Sequence, residues 1–274
     1  MLPRPRTPAS PFRCFNSSPQ MIRLAVLLYV KYPLSLRNVE DLLSERGIDI
    51  CHETVRYWWN RFGPMFAADI RRQRVSSMRG FRQWRWHLDE MYVKVNGEMR
   101  YLWRAVDHEG EILESFVTKD RDKAAALRFM KKALKRHGSP EVITTDGLRS
   151  YKAAMTELGN SDKQEIARWA KNRVENSHLS FRRRERAMLR FRRMSSLQKF
   201  ASVHANAHNH FNSERHLVDR STFKQRRSAA FAEWKTLFSP NVRLNALRTF
   251  GRKLNERPDS GSSSLVTNGR HGRI

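Results

Sequence analysis

Cysteine, acidic residues and long apolar runs are all scarce in this sequence of 274 residues. The two cysteines, Cys14 and Cys51, cannot form a disulfide framework or a cysteine-based zinc site, which favours a reducing compartment. No apolar run approaches the roughly 20 residues that cross a bilayer. Residues 24–30 are apolar but lack the small-residue cleavage site of a secretory signal, and we predict a buried helix there.

The shortage of acidic residues leaves a large excess of positive charge. The 27 Asp and Glu residues face 53 Lys and Arg residues, which gives a formal net charge of +26. Hydrophobic residues make up 39% of the chain, enough for one or two packed domains and too many for a wholly disordered basic tail. A folded protein with this charge usually binds a polyanion. Nucleic acid is therefore the first expected partner, and an anionic membrane surface is the second.

The N-terminal part has the pattern of a small helical DNA-binding domain. Residues 1–20 are rich in proline and arginine and predict a flexible basic arm. Residues 21–75 contain three helical segments, which stop at Pro33, at Gly47 and at Gly63-Pro64. Helix, short turn and helix form a helix-turn-helix, for which an ordinary three-helix bundle is the alternative. The side chains predicted to face the DNA groove are His52, Thr54, Arg56, Tyr57 and Asn60.

A basic connector at 76–85 leads into a segment with the pattern of an α/β domain. Residues 86–95 and 99–106 alternate with period two around Asn96-Gly97, which predicts a β-hairpin. A third strand, a helix, a short strand and another helix follow, and this order predicts a mixed sheet flanked by helices. We expect the short late strand to run parallel to the first.

The C-terminal part of the chain is predicted to be mostly helical. The α/β domain, together with its C-terminal helices, is predicted to span 86–237, with a break between helices near Met194. Residues 238–274 form a C-terminal extension. Its part from about residue 252 is rich in Gly, Ser, Asn and Arg and predicts disorder.

Two carboxylates stand out in the predicted sheet. Asp146 ends the short strand and precedes Gly147, at the strand end where α/β proteins bind ligands, although an ordinary turn has the same pattern. Asp89 lies within an apolar strand, and burial would require a cation, an arginine or a metal beside it. Its neighbour Glu90 faces the opposite side of the sheet, and alternation does not decide which of the two faces a site. A half-exposed strand, whose acid meets only water, is the alternative.

Glu175 lies in a predicted helix, on the same face as His178 and Arg182. A solvated acid that pairs with local arginines is the alternative. Three carboxylates on separate elements, without a cysteine or histidine cage, would suit Mg²⁺.

The arginine-rich segment 182–193 contains seven arginines and one glutamate. Because arginine binds phosphate through two donors and the segment also contains apolar residues that anchor it, we predict a phosphate-binding track rather than a solvated face. The predicted phosphate ligands are Arg182, Arg183, Arg184, Arg186, Arg190, Arg192 and Arg193. In contrast, His204, His208 and His210 lie among apolar residues, and we predict packing rather than metal binding for them.

Four sequence blocks, in this order, resemble the DDE transposases of the insertion-sequence-six group. They are 86–97 (WHLDEMYVKVNG), 101–107 (YLWRAVD), 145–147 (TDG) and 172–178 (NRVENSH). Residues 32–58 also resemble that group's helix-turn-helix. Twenty-eight residues separate Asp146 from Glu175, fewer than is typical of the group.

The resemblance implies a ribonuclease-H-like catalytic domain, in which Asp89, Asp146 and Glu175 are the catalytic metal ligands. Asp89 rather than Glu90 is chosen by this match. It also implies two Mg²⁺ ions, with Mn²⁺ as a substitute, and places Arg182 near the bound DNA end. The implied activity is cutting at the terminal inverted repeats of an insertion sequence and joining the 3′-OH to target DNA.

The implied partners are double-stranded DNA and further copies of the chain in a synaptic complex, in the bacterial cytoplasm at the nucleoid. Neither a membrane nor a small-molecule substrate is expected. A non-catalytic helix-turn-helix protein derived from a transposase is the alternative, and a ribonuclease or resolvase on the same fold is a further one.

Overall fold

The computed structural model describes residues 10–78, 85–166, 172–188, 191–212 and 218–239. The described residues up to Phe238 belong to one compact unit. Among them, no helix is both long and apolar enough to cross a membrane. The predicted extension from residue 240 onward lies outside the described residues.

Three helices begin the chain: α1 (Pro19–Lys31), α2 (Leu36–Ser44) and α3 (His52–Met78). Ser18 and Ser35 cap the first two, because their hydroxyl oxygens accept hydrogen bonds from the backbone N–H groups of Met21 and Asn38. The apolar residues 24–30 lie within α1, and most of them are buried, as predicted.

The segment before α1 packs against the helices, whereas the sequence predicted a flexible arm there. Phe12 is buried, and its ring stacks on Phe62 of α3 with 5.0 Å between the ring centroids. Residues 10–18 are therefore held by aromatic packing. Residues 1–9 of the predicted arm lie outside the described residues.

The predicted end of the third helix at Gly63-Pro64 is wrong, because α3 continues through Pro64. Proline removes one helical hydrogen bond and normally breaks or kinks a helix. Here Phe62, Phe66 and Ile70 form one buried stripe that runs past the proline, so core packing stabilises a continuous helix. The predicted basic connector consequently begins inside α3.

The central sheet has five strands: β1 (Arg85–Val95), β2 (Glu98–Asp107), β3 (Ile112–Thr118), β4 (Val142–Thr145) and β5 (Gln164–Ile166). Their order is β3-β2-β1-β4-β5, with β1, β2 and β3 antiparallel. β4 is parallel to β1, which confirms the prediction, and β5 is parallel to β4. This strand order and these strand directions match the ribonuclease-H-like sheet that the resemblance implies. β5 is only three residues long and was not predicted from the sequence.

Five further helices complete the described chain: α4 (Lys123–His137), α5 (Arg149–Glu157), α6 (Asn172–Ala187), α7 (Met194–Phe211) and α8 (Arg220–Thr236). Alternate residues of β1 face the two sides of the sheet. Trp86 and Leu88 pack with α4 and α5, whereas Met91 and Val93 belong to the core that contains Phe181 of α6. The helices α4 and α6 therefore cover opposite faces. The break between α6 and α7 ends just before Met194, close to its predicted position.

The three histidines of α7 are packing residues, as predicted. His204 is buried against Phe200, and burial lowers the pKa of His204 far below its usual value. Burial also lowers the pKa of His208 to about 4. His210 Nε2 lies 2.8 Å from the carbonyl oxygen of Ala230 in α8. These rings are neutral at pH 7, and His210 connects α7 to α8.

Candidate active site and DNA-binding surfaces

Three carboxylates meet where β1 and β4 separate. The parallel register that pairs His87 with Thr144 places Asp89 level with Asp146, two residues farther along each strand. One carboxylate oxygen each from Asp89, Glu90 and Asp146 lies within 4.8 Å of the other two. The turn after β4 is fixed by Asp146 itself, whose Oδ1 accepts a 3.0 Å hydrogen bond from the backbone N–H of Leu148. We call Asp89, Glu90 and Asp146 the acidic cluster.

Glu90 is the most buried member of the acidic cluster. Its side chain is only 5% exposed, and its Oε2 is buried without a hydrogen bond of normal geometry in the described part of the chain, although the hydroxyl of Tyr151 lies near enough to lower the pKa of Glu90. Burial raises the pKa of Glu90, and the positive charge of Arg121 opposes that rise. The hydroxyl of Tyr151 is buried on the same side of the sheet, and burial raises its pKa well above the usual value. A buried carboxylate oxygen without a well-formed hydrogen bond is the kind of atom that a cation satisfies.

Asp89 faces the opposite side, under α6. His178 Nδ1 lies 3.7 Å from Asp89 Oδ2, but burial and the charges of Arg104 and Arg182 lower the pKa of His178 to about 3. The ring is therefore neutral at pH 7, and the contact is not an ion pair. Arg104, directly opposite Asp89 in the pairing of β1 with β2, donates a 2.6 Å hydrogen bond to the carbonyl oxygen of Ser177. That bond fixes the N-terminal half of α6 against the sheet.

Glu175 lies in the first turn of α6, one helical turn before His178. Val174 beside it is buried, whereas the Glu175 side chain is exposed. Its carboxylate is not part of the acidic cluster, whereas His178, three residues later on the same helix, contacts Asp89. The role of Glu175 as the third metal ligand stays a prediction.

The predicted phosphate ligands occupy different environments. Arg183, Arg186, Arg192 and Arg193 are exposed, and Arg182 is half-buried with its Nη1 2.6 Å from Glu185 Oε2. Arg190 lies outside the described residues.

The prediction that Arg184 contacts phosphate is wrong. Its side chain is 1% exposed, and its guanidinium lies over the ring of Tyr29. Its Nη1 donates a 3.0 Å hydrogen bond to the carbonyl oxygen of Leu34. Arg184 therefore joins α6 to the N-terminal helices instead of facing solvent.

The predicted DNA-reading residues of α3 also divide into two groups. Arg56, Tyr57 and Asn60 are exposed, and their spacing of three and four residues places them on one face. His52 is instead bound to α2, because its Nδ1 lies 2.7 Å from Glu40 Oε2. Thr54 is half-buried.

Comparison with known proteins identifies the family. A family model described as a DDE domain matches residues 83–214. The transposase for the insertion sequence-like element IS431mec of Staphylococcus aureus is 30% identical over 172 residues, which cover 61% of this chain and 75% of the relative. The chain belongs to the DDE transposases of the insertion-sequence-six group. The S. aureus transposase for insertion sequence element IS257 in transposon Tn4003 shows the same identity and coverage.

Solved structures of similar chain trace include the catalytic domain of Mos1 mariner transposase and the HTLV-2 integrase catalytic core domain in complex with magnesium. The Mos1 domain has 13% identity and a TM-score of 0.33, and the match covers 64% of this chain and 94% of that chain. The integrase domain has 17% identity and a TM-score of 0.30, and the match covers 35% of this chain and 65% of that chain.

All three members of the acidic cluster lie within the matched DDE domain. Asp89 and Asp146 were predicted from the sequence as candidate ligands, but Glu90 was not placed beside them. Arg121, which follows β3 and contacts the cluster, was not predicted. The adjacent Asp89-Glu90 pair on an apolar strand was the signal for Glu90, whereas no local pattern indicates Arg121.

Proposed function

We propose that this DDE transposase binds the terminal inverted repeats of an insertion sequence, nicks the element ends and joins the 3′-OH to target DNA, in the bacterial cytoplasm. The observation that supports this proposal is the acidic cluster, formed by Asp89, Glu90 and Asp146 within the DDE domain. A reaction at a phosphodiester needs positive charge beside the scissile phosphate, and a carboxylate cluster acquires that charge by binding divalent ions.

The donor atoms of the acidic cluster fit Mg²⁺, with Mn²⁺ as a substitute. All three groups are carboxylates, and Glu90 Oε2 is buried without a hydrogen bond of normal geometry among the described residues. Hard oxygen donors favour Mg²⁺ over the softer transition metals. Asp89 and Asp146 would hold the ions, and Glu175 would complete the site from α6. Two such ions would activate the attacking oxygen and stabilise the leaving oxygen.

The remaining parts of the proposal concern DNA. Arg56, Tyr57 and Asn60 present one exposed face of α3 to the inverted repeat, while exposed arginines at and after the end of α6 bind phosphates. Arg182 lies close enough to His178 for its charge to lower that ring's pKa, which supports a role for this cation beside the proposed scissile phosphate. Further copies of the chain would hold the second element end, and no small-molecule substrate is needed.

The decisive experiment compares Asp146→Asn with Asp162→Asn. Asp162 lies in a short 3-10 helix at Ser161–Lys163, is exposed and is outside the acidic cluster. With DNA that contains the inverted repeats and with Mg²⁺, Asp146→Asn should bind the ends but lose nicking and joining, because it removes one metal ligand. Asp162→Asn should retain both reactions. Nicking by Asp146→Asn at the wild-type rate would refute the assignment.

A non-catalytic DNA-binding protein derived from a transposase is the second candidate. This candidate is favoured by the exposed position of Glu175. Its carboxylate does not lie with those of Asp89 and Asp146 in the acidic cluster, so the predicted triad is not assembled among the described residues. Specific binding to the repeats by the wild-type protein, without nicking in either Mg²⁺ or Mn²⁺, would support this second function over the first.

A further inference from the structure

The acidic cluster already contains a cation that belongs to the protein. Arg121 lies between β3 and α4, immediately before Asp122, the residue that caps α4. Its Nη2 contacts Glu90 Oε1 and lies 4.0 Å from Asp146 Oδ2. The guanidinium therefore reaches two of the three carboxylates that would bind a divalent ion.

Arg121 is held at the edge of the cluster rather than inside the fold. Its side chain is 28% exposed, and its Nη1 donates a 3.2 Å hydrogen bond to the hydroxyl oxygen of Tyr92. Tyr92 is itself 44% exposed. The long side chain can therefore turn towards solvent by giving up its contacts with Glu90 and Tyr92, because its anchor Tyr92 is also at the surface.

The guanidinium of Arg121 and a divalent ion would compete for the carboxylates of the acidic cluster. Three carboxylates within 4.8 Å of one another repel unless a cation is present, and the guanidinium supplies one positive charge. A divalent ion would supply two and would be held by carboxylates of the same cluster. Both cations cannot stay close together in the cluster, because they repel each other.

We propose that Arg121 is a displaceable counter-cation, which stabilises the acidic cluster in the metal-free protein and lowers its affinity for divalent ions. This inference rests on the proposed metal site. In this proposal Arg121 is not a metal ligand, but it lowers the affinity of the ligands for the ion. Binding of the ion requires the guanidinium to leave Glu90 and Asp146.

The test is a calorimetric titration of the full-length protein with Mn²⁺, for the wild type, Arg121→Gln and Arg121→Lys. Arg121→Gln removes the competing charge and should bind Mn²⁺ roughly tenfold more tightly, because the ion no longer has to break the partly exposed contacts of the guanidinium with Glu90 and Asp146. Lysine retains the charge, so Arg121→Lys should stay close to the wild type. The midpoint of thermal unfolding without metal should fall in Arg121→Gln, and its increase on adding Mn²⁺ should exceed that of the wild type.

Arg128→Gln is the matched control. Arg128 lies on α4, is exposed and donates to the carbonyl oxygen of Ala124 in its own helix, so its loss changes the net charge equally without touching the cluster. Its Mn²⁺ affinity should equal that of the wild type. Unchanged or weaker binding in Arg121→Gln would overturn the inference, and so would equally tight binding in Arg121→Lys and Arg121→Gln.

Asp146→Asn in the same titration separates this inference from the proposed function. If Asp146→Asn loses Mn²⁺ binding while Arg121→Gln binds like the wild type, the metal site stands and the role of Arg121 is wrong. If the wild type does not bind Mn²⁺, or Asp146→Asn binds it equally well, the metal site itself is wrong, and the inference is overturned with it.

Discussion

The exposed arginines of α6 allow a quantitative test of DNA binding. Arg183 and Arg186 are three residues apart on the helix, are exposed and have no carboxylate partner among the described residues. If both bind phosphate, the double variant Arg183→Gln/Arg186→Gln removes two phosphate contacts without removing a metal ligand. Its DNA affinity should therefore lose part of its salt dependence and keep its preference for the inverted repeat.

The magnitude follows from the release of counterions. Each phosphate contact contributes about 0.9 to the slope of log affinity against log salt concentration, so the slope should decrease by about 1.8 in the double variant. Relative to 1 M salt, where this contribution vanishes, the two contacts account for about 60-fold in affinity at 0.1 M.

The assay is fluorescence anisotropy with labelled inverted-repeat DNA and with unrelated DNA, at several salt concentrations. The charge-matched control is Arg128→Gln/Lys131→Gln, because those exposed residues have the same spacing on α4, which covers the other face of the sheet. The control should keep the wild-type slope. A change in slope below about 0.5 in the Arg183→Gln/Arg186→Gln variant, or an equal change in the control, would refute the phosphate assignment.

Two further predictions concern the fold. Gly63→Ala should lower the free energy of unfolding, measured by urea denaturation, by about 1 kcal/mol. The added Cβ would lie 2.6 Å from Trp59 Cε3, and this overpacking outweighs the better helix propensity of alanine. A stabilised variant would show that the tryptophan relaxes freely. Burial raises the pKa of Asp107 to about 6, above its unfolded value, so its protonated form stabilises the fold at low pH and that contribution disappears as the pH rises to 6 and above. The unfolding free energy of the wild type relative to Asp107→Asn should therefore fall by up to about 3 kcal/mol between pH 4 and 6.5, and a difference independent of pH would contradict this.

Local sequence signals were sufficient for the elements whose boundaries are set by turns. Asn96 and Gly97 have φ values of 51° and 85°, the left-handed conformations that a two-residue hairpin requires, and the strands on either side formed as predicted. Residues 142–145 are apolar or β-branched and are followed by Asp146-Gly147, so a short strand that ends at this turn was also predicted.

Tertiary packing decided the elements that the sequence analysis missed. The local rule for Pro64 predicts the end of a helix, but the buried stripe of α3 continues on both sides of it. The short β5 has a single apolar residue, Ile166, and no strand pattern of its own. It exists because β4 offers an unpaired edge. Arg121 likewise reaches the acidic cluster through a loop whose path depends on the packing of β3 and α4.

The distribution of arginines changes what the net charge of +26 means for DNA binding. Arg104 and Arg184 are buried on aromatic rings, and burial lowers the pKa of Arg104 to about 9 and that of Arg184 to about 10. Arg121 faces carboxylates. These residues count in the total charge but have no exposed guanidinium free for phosphate in the metal-free protein. Because only exposed cations release counterions from DNA, the salt dependence of binding should follow the exposed arginines and fall below the value that the sequence charge alone predicts. Displacement of Arg121 by a divalent ion would then free one further guanidinium beside the site, so DNA affinity and metal binding should increase each other.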